Sequence, residues 1–279
     1  MIDVVVRAYN DIGLIRETLE GIRSQKTPCK ILVMDNESQD GTTAICEELA
    51  DRVINVPAGT YVPGKVLNQA MRETSSEFVV FLNSDCPPLT DEWLDTLLAG
   101  FDEENVGAVF SRQRPRPDCL PLFAKDTEDT FGDGARQEKW KHCFSMASSA
   151  IRRSVWDAMP FSEDIQYSED IDWTWKLRQK GGVIRYCPAS EVYHSHNYTL
   201  KQWFRRQYGE GKADADIFEW TDWEKNWLRY SGMPAVRQVL SDWKFALKSR
   251  SAQAFIHAPF LRLSQMLGRR KGFLDGIRS

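Results

Sequence analysis

Over the first 110 residues, short unbroken apolar runs alternate with stretches in which apolar positions recur at helical spacing. The runs predict strands at 3–6, 29–34, 53–56, 78–82 and 106–111, and the intervening stretches predict helices at 14–25, 42–50, 65–73 and 93–101. Asn10 and Asp11 stand where caps of the first helix are expected. Strands that are apolar at every position, rather than at every second one, are expected where both faces of a parallel sheet are covered. The order strand, helix, strand therefore predicts repeated βα units. Residues 112–134, with Pro115, Pro117 and Pro121, break this rhythm and read as a loop or an insertion. Beyond them the pattern predicts a strand or strand-to-helix step at 145–152, a short helix at 154–159, and a helix at 170–180 closed by Gly181 and Gly182. A strand at 183–187 and helices at 200–212 and 235–250 follow, with no internal repeat.

Composition narrows the class without naming it. At 279 residues, with 42% hydrophobic and 27% charged side chains, the chain suits a globular protein with a sizeable core. No stretch reaches the roughly 18 apolar residues of a spanning helix, and the start MIDVVVRAYN lacks the basic opening of a signal peptide. The expectation is a cytoplasmic protein. Cys29, Cys46, Cys86, Cys119, Cys143 and Cys187 form no CxxC pair and are expected as free thiols. The net charge of −4 argues against a nucleic-acid partner, but it is unevenly spread. Met233 to Ser279 carries nine Lys or Arg and two Asp, a formal +7, which leaves −11 on the preceding 232 residues.

The chemistry-bearing residues cluster at the ends of predicted strands. FVVFLNSDCPP closes a buried strand on Asp85, and ILVMDNESQDGT closes another on Asp35 before a run of turn formers. The carboxyl ends of strands are where open α/β sheets hold ligands. A bland reading exists for each: Asp35 or Asp40 as an Asx turn and helix cap, Tyr9 as core, Cys86 as a small residue at a strand end. Gly64 and Lys65 open a helix that contains Asn68, a setting that suits a diphosphate. Glu169 and Asp170 stand in a first helical turn, where acids also serve simply as helix stabilisers. His194 and His196 are two apart, so that an extended strand would present both rings on one face. Arg205 and Arg206 follow, as a phosphate clamp or a solvated helix face.

Taken in order, VVVRAYND (4–11), VMDNESQDGT (33–42), GKVLNQA (64–70), FLNSDCPP (81–88) and YSEDIDWTWKLRQKGG (167–182) resemble a family 2 glycosyltransferase of the GT-A fold, rhamnosyltransferase-like branch. The resemblance covers about 1–212. It implies a Rossmann-like, mainly parallel mixed sheet flanked by helices, with 213–279 as a basic helical extension. It also implies a nucleoside-diphosphate sugar donor bordered by Ala8, Tyr9, Asn10, Asp35, Lys65, Asn68, Asn83, Ser84 and Arg206. Asp85 stands where the family carries the second acid of an Asp-X-Asp motif, the first being replaced by Asn83. A hard divalent cation, Mn²⁺ or Mg²⁺, needs few protein carboxylates when diphosphate oxygens complete its shell. Asp85 with His194 or His196 is the implied metal set. Asp170 becomes the general base and Glu169 its orienting partner, giving a single displacement with inversion on a hydroxyl of a glycan or lipid-linked acceptor in cell-surface polysaccharide synthesis.

Two competing functions stand beside this one. An inactive nucleotide-binding scaffold is motivated by Asn83, and a sugar-nucleotide pyrophosphorylase is excluded because RAYNDIG lacks a basic, Gly-rich phosphate loop. The tail mixes Trp243, Phe245, Leu247, Phe255, Ile256, Phe260 and Leu263 with Lys244, Lys248, Arg250 and Arg262. It suits peripheral contact with the inner face of the cell membrane; the alternatives are a helix pair on the catalytic domain or a homodimer interface.

Overall fold

A computed structural model of the chain describes residues 1–135, 143–221 and 225–278. It comprises two compact units, one of residues 1–116, 127–165 and 169–195, the other of residues 117–126, 166–168 and 196–279.

The first unit is built on β1 (Ile2–Ala8), β2 (Cys29–Asp35), β3 (Arg52–Asn55), β4 (Phe78–Asn83), β5 (Val106–Arg114), β6 (Ser148–Arg152) and β7 (Val183–Tyr193), in the order β3-β2-β1-β4-β6-β5-β7. Among the described strands, β6 alone runs against its neighbours, and the other strand pairings are parallel. The carboxyl ends of β1, β2, β4, β5 and β7 and the start of β6 therefore share one edge of the sheet. Alternate residues of each apolar run serve opposite faces. Val4, Val6, Ile31, Val33, Val80 and Leu82 pack with α1 (Ile15–Arg23), α2 (Thr42–Leu49) and α4 (Trp93–Leu98). Val5, Leu32, Met34, Val79 and Phe81 pack with α3 (Pro63–Glu73), α6 (Arg153–Ala158) and α7 (Glu169–Gln179). Each buried aliphatic side chain contributes roughly 1.5–3 kcal/mol relative to exposure, so a charge on these strands is tolerated only near their ends.

Three elements differ from the sequence expectation. Strand β5 runs on to Arg114, and the proline-rich stretch after it contains a helix, α5 (Pro121–Thr130). Pro121 opens α5, where a missing N–H costs nothing. Strand β7 continues through Pro188 to Tyr193: its partner register jumps from Ser111↔Cys187 to Arg112↔Glu191, so that 188–190 bulge out of the ladder. As an edge strand, β7 accommodates a proline that a central strand would not.

The second unit contains α8 (Leu200–Ile217), a π-helical turn (Leu228–Gly232), α9 (Met233–Lys248) and α10 (Ala252–Gly276). Helix α8 begins with a complete capping box between Thr199 and Gln202. It meets α10 at backbone distance: a Cβ on Gly211 would lie 2.1 Å from the Arg269 carbonyl oxygen, and one on Gly272 1.9 Å from that of Tyr208. This crossing assigns α8 to the C-terminal helices, and the compact division falls after Ser195 instead of after residue 212. Arg262 is buried and binds Asp126 (2.6 and 2.8 Å) and Asp242 (2.7 and 3.1 Å), with Lys125 also 3.2 Å from Asp242.

Candidate active site

The turns that follow β1, β2 and β4 form the floor of the sheet edge and are tied to one another through side chains. Asn10, with φ +52°, donates its backbone N–H to Ser38 Oγ (2.9 Å) and accepts from the Gln39 N–H (2.8 Å). Ser84 Oγ donates to the Asp11 carboxylate, and its backbone N–H binds the Arg7 carbonyl (3.0 Å). Asp35 is buried and occupied inside its own loop, accepting from Ser38 Oγ and Thr43 Oγ1, both at 2.6 Å. This is the Asx-turn alternative, and the Asp35 carbonyl is taken as well, by the Val56 N–H (2.7 Å). Asp40 likewise caps, accepting from Thr42 and from the Ile12 N–H. Tyr9 is 57% exposed, which removes the core reading and leaves its ring face accessible at the end of β1.

The acid pair opens α7. Asp170 Oδ2 accepts from the Met146 N–H (3.1 Å) and Oδ1 from the Ile171 N–H (2.8 Å), which fixes the carboxylate just before β6. Burial, and after it the negative charge of Glu169, pushes the Asp170 carboxyl up to about 7. The two N–H donors and Arg7 act in the opposite sense. A carboxylate held in place and titrating near neutrality is suited to taking a proton. Glu169 is engaged by Arg7, whose Nη1 lies 3.2 Å from Oε1, while Arg7 Nη2 donates to Asn83 Oδ1 (2.8 Å). Burial works against the charge on Arg7, yet Tyr61, Glu169 and Asp170 hold its pKa above the ordinary value. Asn83 thus serves as the acceptor for Arg7 at the end of β4.

On the other side of β4, Asp85 and His194 approach each other, with Oδ2 and Nε2 3.7 Å apart. His194 Nδ1 is 2.5 Å from Gln113 Oε1, and Gln113 Nε2 donates to Ser145 Oγ (2.8 Å). An amide oxygen only accepts, so Nδ1 carries a proton, and with a metal in place Nε2 would be the ring nitrogen left to coordinate beside the carboxylate. Two acceptors in this relation fit a shared cation, and one carboxylate with one imidazole suits Mn²⁺ and, less well, Mg²⁺. Cys86 Sγ falls within the same cluster. Burial and then Asp85 push its thiol well above its ordinary pKa, so it remains an uncharged neighbour and a poor ligand for a hard ion.

Several expected site residues lie elsewhere. Asn68 is saturated: Oδ1 accepts from Trp156 Nε1 (2.9 Å) and the Phe161 N–H (3.0 Å), and Nδ2 donates to the Phe161 carbonyl (3.0 Å) and Glu163 (2.9 Å). It anchors the 161–163 segment instead of binding a nucleotide. The same segment covers the first turn of α3, where a Cβ on Gly64 would come within 1.9 Å of the Ser162 carbonyl oxygen. Lys65 remains exposed on that turn. His196 does not share a strand face with His194, because β7 ends at Tyr193; its ring instead lies 5.3 Å from that of Tyr198 in the second unit. Arg206 also belongs to the second unit, with Nε 3.1 Å from Glu210 and Nη1 donating to Tyr198 Oη (3.1 Å). Sequence reasoning misses Arg7 and Gln113. The signal for Arg7 is a charge directly after the apolar run Val4–Val6, which demands a partner. Gln113 carries none once residues 112–134 are read as a loop.

The edge of the sheet thus carries an acid that titrates near neutrality, a carboxylate–imidazole pair and an exposed aromatic ring at the end of β1. Comparison with known proteins identifies the family. The chain is 30% identical over 233 residues to the O-antigen chain rhamnosyltransferase WbaN of Salmonella anatum, covering 80% of this chain and 73% of that protein. It is 28% identical over 261 residues to the O-antigen chain rhamnosyltransferase RfbN of Salmonella typhimurium, covering 89% and 82%. In fold it is similar to a mannosyltransferase from Pyrobaculum calidifontis solved with GDP-Man and Mn²⁺, at a TM-score of 0.69 and 18% identity, over 98% of this chain and 87% of that one. Residues 3–158, which carry the turns after β1, β2 and β4 and the start of β6, match the sequence model of glycosyl transferase family 2, and the chain belongs to that family.

Proposed function

We propose that this glycosyltransferase moves a hexose or 6-deoxyhexose from a nucleoside diphosphate to a hydroxyl of a lipid-linked glycan, with inversion at the anomeric carbon. The deoxyhexose is favoured by the two rhamnosyltransferases that align with most of the chain. The observation that carries the reading is Asp170: a fixed carboxylate with a raised pKa at the same sheet edge as the Asp85–His194 pair. The exposed ring of Tyr9 offers a stacking surface for the base, while the Asn10–Ser38 turn shapes its border. Held by Asp85 and His194, a divalent cation would offset negative charge on the departing diphosphate.

Asp170 takes the proton of the acceptor hydroxyl as its oxygen attacks the anomeric carbon, and the bond to the diphosphate breaks on the opposite face. Arg7 holds the Glu169 carboxylate in place at 3.2 Å beside Asp170, and it is burial, followed by the charge of Glu169, that raises the basicity of Asp170. Retention would require a second positioned nucleophile, and the turns after β1, β2 and β4 supply none. Asn83, the motive for an inactive scaffold, has its own partner in Arg7. The test is transfer from dTDP-, UDP- and GDP-linked sugars to a lipid-linked acceptor, with the anomeric configuration of the product read by NMR. The expected product has the configuration opposite to the donor; retained configuration overturns the single displacement.

A further inference from the structure

Helices α9 and α10 each carry an exposed apolar stripe. On α9 it consists of Val236 (61% exposed), Leu240 (51%) and Leu247 (70%); on α10 it consists of Ile256, Phe260, Leu263 and Leu267, each between 49% and 62% exposed. The spacings, 4 and 7 on the first and 4, 3 and 4 on the second, keep each set along one line of its helix. On α10 the face opposite the stripe is occupied, Ala254, Ala258 and Leu261 packing with Ala246 of α9, while Trp243, which flanks the α9 stripe, stacks on the Phe255 ring at 5.5 Å. The stripe residues themselves remain 49–70% exposed and are not the pair's own interface.

The charges around them have one sign. Arg237, Lys244 and Lys248 are exposed one or four residues from the α9 stripe, and Arg250 is exposed in the turn before α10. None of the four forms an ion pair among the described residues. The acids of this segment are Asp242, buried against Arg262, and Asp275, bound to Lys271. No described helix is long and apolar enough to cross a membrane. Exposed apolar side chains flanked by unopposed cations match the boundary of an anionic bilayer, where rings and aliphatic chains enter the acyl region and Lys and Arg reach the headgroups.

We propose that the α9–α10 pair docks on an anionic lipid surface, with the two stripes as its apolar contact and Arg237, Lys244, Lys248 and Arg250 as its electrostatic one. The inference does not depend on the sugar or the acceptor. It predicts that the full-length chain floats with vesicles of phosphatidylcholine containing phosphatidylglycerol and does so far less with phosphatidylcholine alone.

The combined Lys244→Ala and Lys248→Ala substitutions should lower vesicle affinity about 25-fold, at about 5-fold per cation, and high salt should reproduce the loss. Ile256→Gln with Phe260→Gln should lower affinity at least about 10-fold, also at low salt. All four positions are exposed, so the variants should melt with the wild type and release nucleotide from the donor at the wild-type rate. Equal binding to both vesicle types, or affinity unchanged in both variants, overturns the proposal. So does a wild-type dimer in light scattering that the stripe variants convert to a monomer without any vesicle binding, because the stripes would then belong to a second copy of the chain.

Discussion

Replacing Asp170 by asparagine separates catalysis from folding. The substitution keeps the shape and one acceptor, so one of the two N–H bonds from Met146 and Ile171 survives and the other faces an amide NH₂. Losing that acceptor costs about 1–3 kcal/mol. Against it stands the burden of the native carboxyl. With its pKa lifted from 3.8 to about 7 by burial and by Glu169, the folded state binds this proton more tightly than the unfolded chain does. Stability from this group is therefore fully present below the unfolded value, and it is lost as pH rises toward the folded one. Above pH 7 the charged carboxylate destabilises the fold by up to about 4 kcal/mol. The amide of the Asp170→Asn variant carries no such charge, so at pH 8 the variant should melt at or above the wild-type temperature. At pH 4 it should melt below it. Transfer should fall by about 10²–10⁴, the contribution of a positioned general base. The wild-type rate should rise with pH to a plateau with a midpoint near 7. The assay is single-turnover transfer from pH 5.5 to 8.5, with melting curves at pH 4 and 8. Transfer by the variant within tenfold of wild type, or a flat wild-type profile across neutrality, would refute the assignment of Asp170 as base.

Other substitutions probe the supports of the site. Gln113→Leu removes the acceptor that fixes the His194 tautomer, and it should weaken Mn²⁺ binding by about 10–100-fold, measured by calorimetry with the metal alone. Asn68→Ala strips four hydrogen bonds from the 161–163 segment and should cost about 2–4 kcal/mol in urea unfolding while leaving nucleotide affinity of the folded protein unchanged. Arg262→Leu leaves Asp242 buried with only Lys125 nearby and should destabilise by about 3–5 kcal/mol; adding Asp242→Leu should recover much of that loss in a double-mutant cycle.

The parallel core was legible because its strands are apolar at every position, and the sheet is covered on both faces as that pattern requires. The strand-end acids were legible for a related reason: Asp85 and the Glu169–Asp170 pair are the charges that close or open apolar elements. What stayed hidden depended on long-range partners. Asn68 looks like a ligand residue in a helix start, and only the fold reveals that Trp156 and Phe161 use most of its hydrogen-bonding capacity, with Glu163 taking the rest. His194 and His196 look equivalent because the sequence does not mark Tyr193 as the last strand residue. Helix α5 is hidden by prolines, one of which in fact begins it. Gln113 gains its place from the continuation of β5 past Ser111, which rests on pairing with β7 rather than on any local signal.

The central claim is that Asp85 and His194 form, with the turns after β1 and β4, the place where a nucleoside diphosphate and a divalent cation bind together. Calorimetric titration of the chain with dTDP, UDP and GDP, each with and without Mn²⁺, tests it most directly when repeated on Asp85→Ala. The account predicts that one nucleotide binds tightly only with the metal and that Asp85→Ala abolishes the metal's effect while the protein stays folded. Binding indifferent to Mn²⁺, or a metal effect that survives in Asp85→Ala, would contradict it.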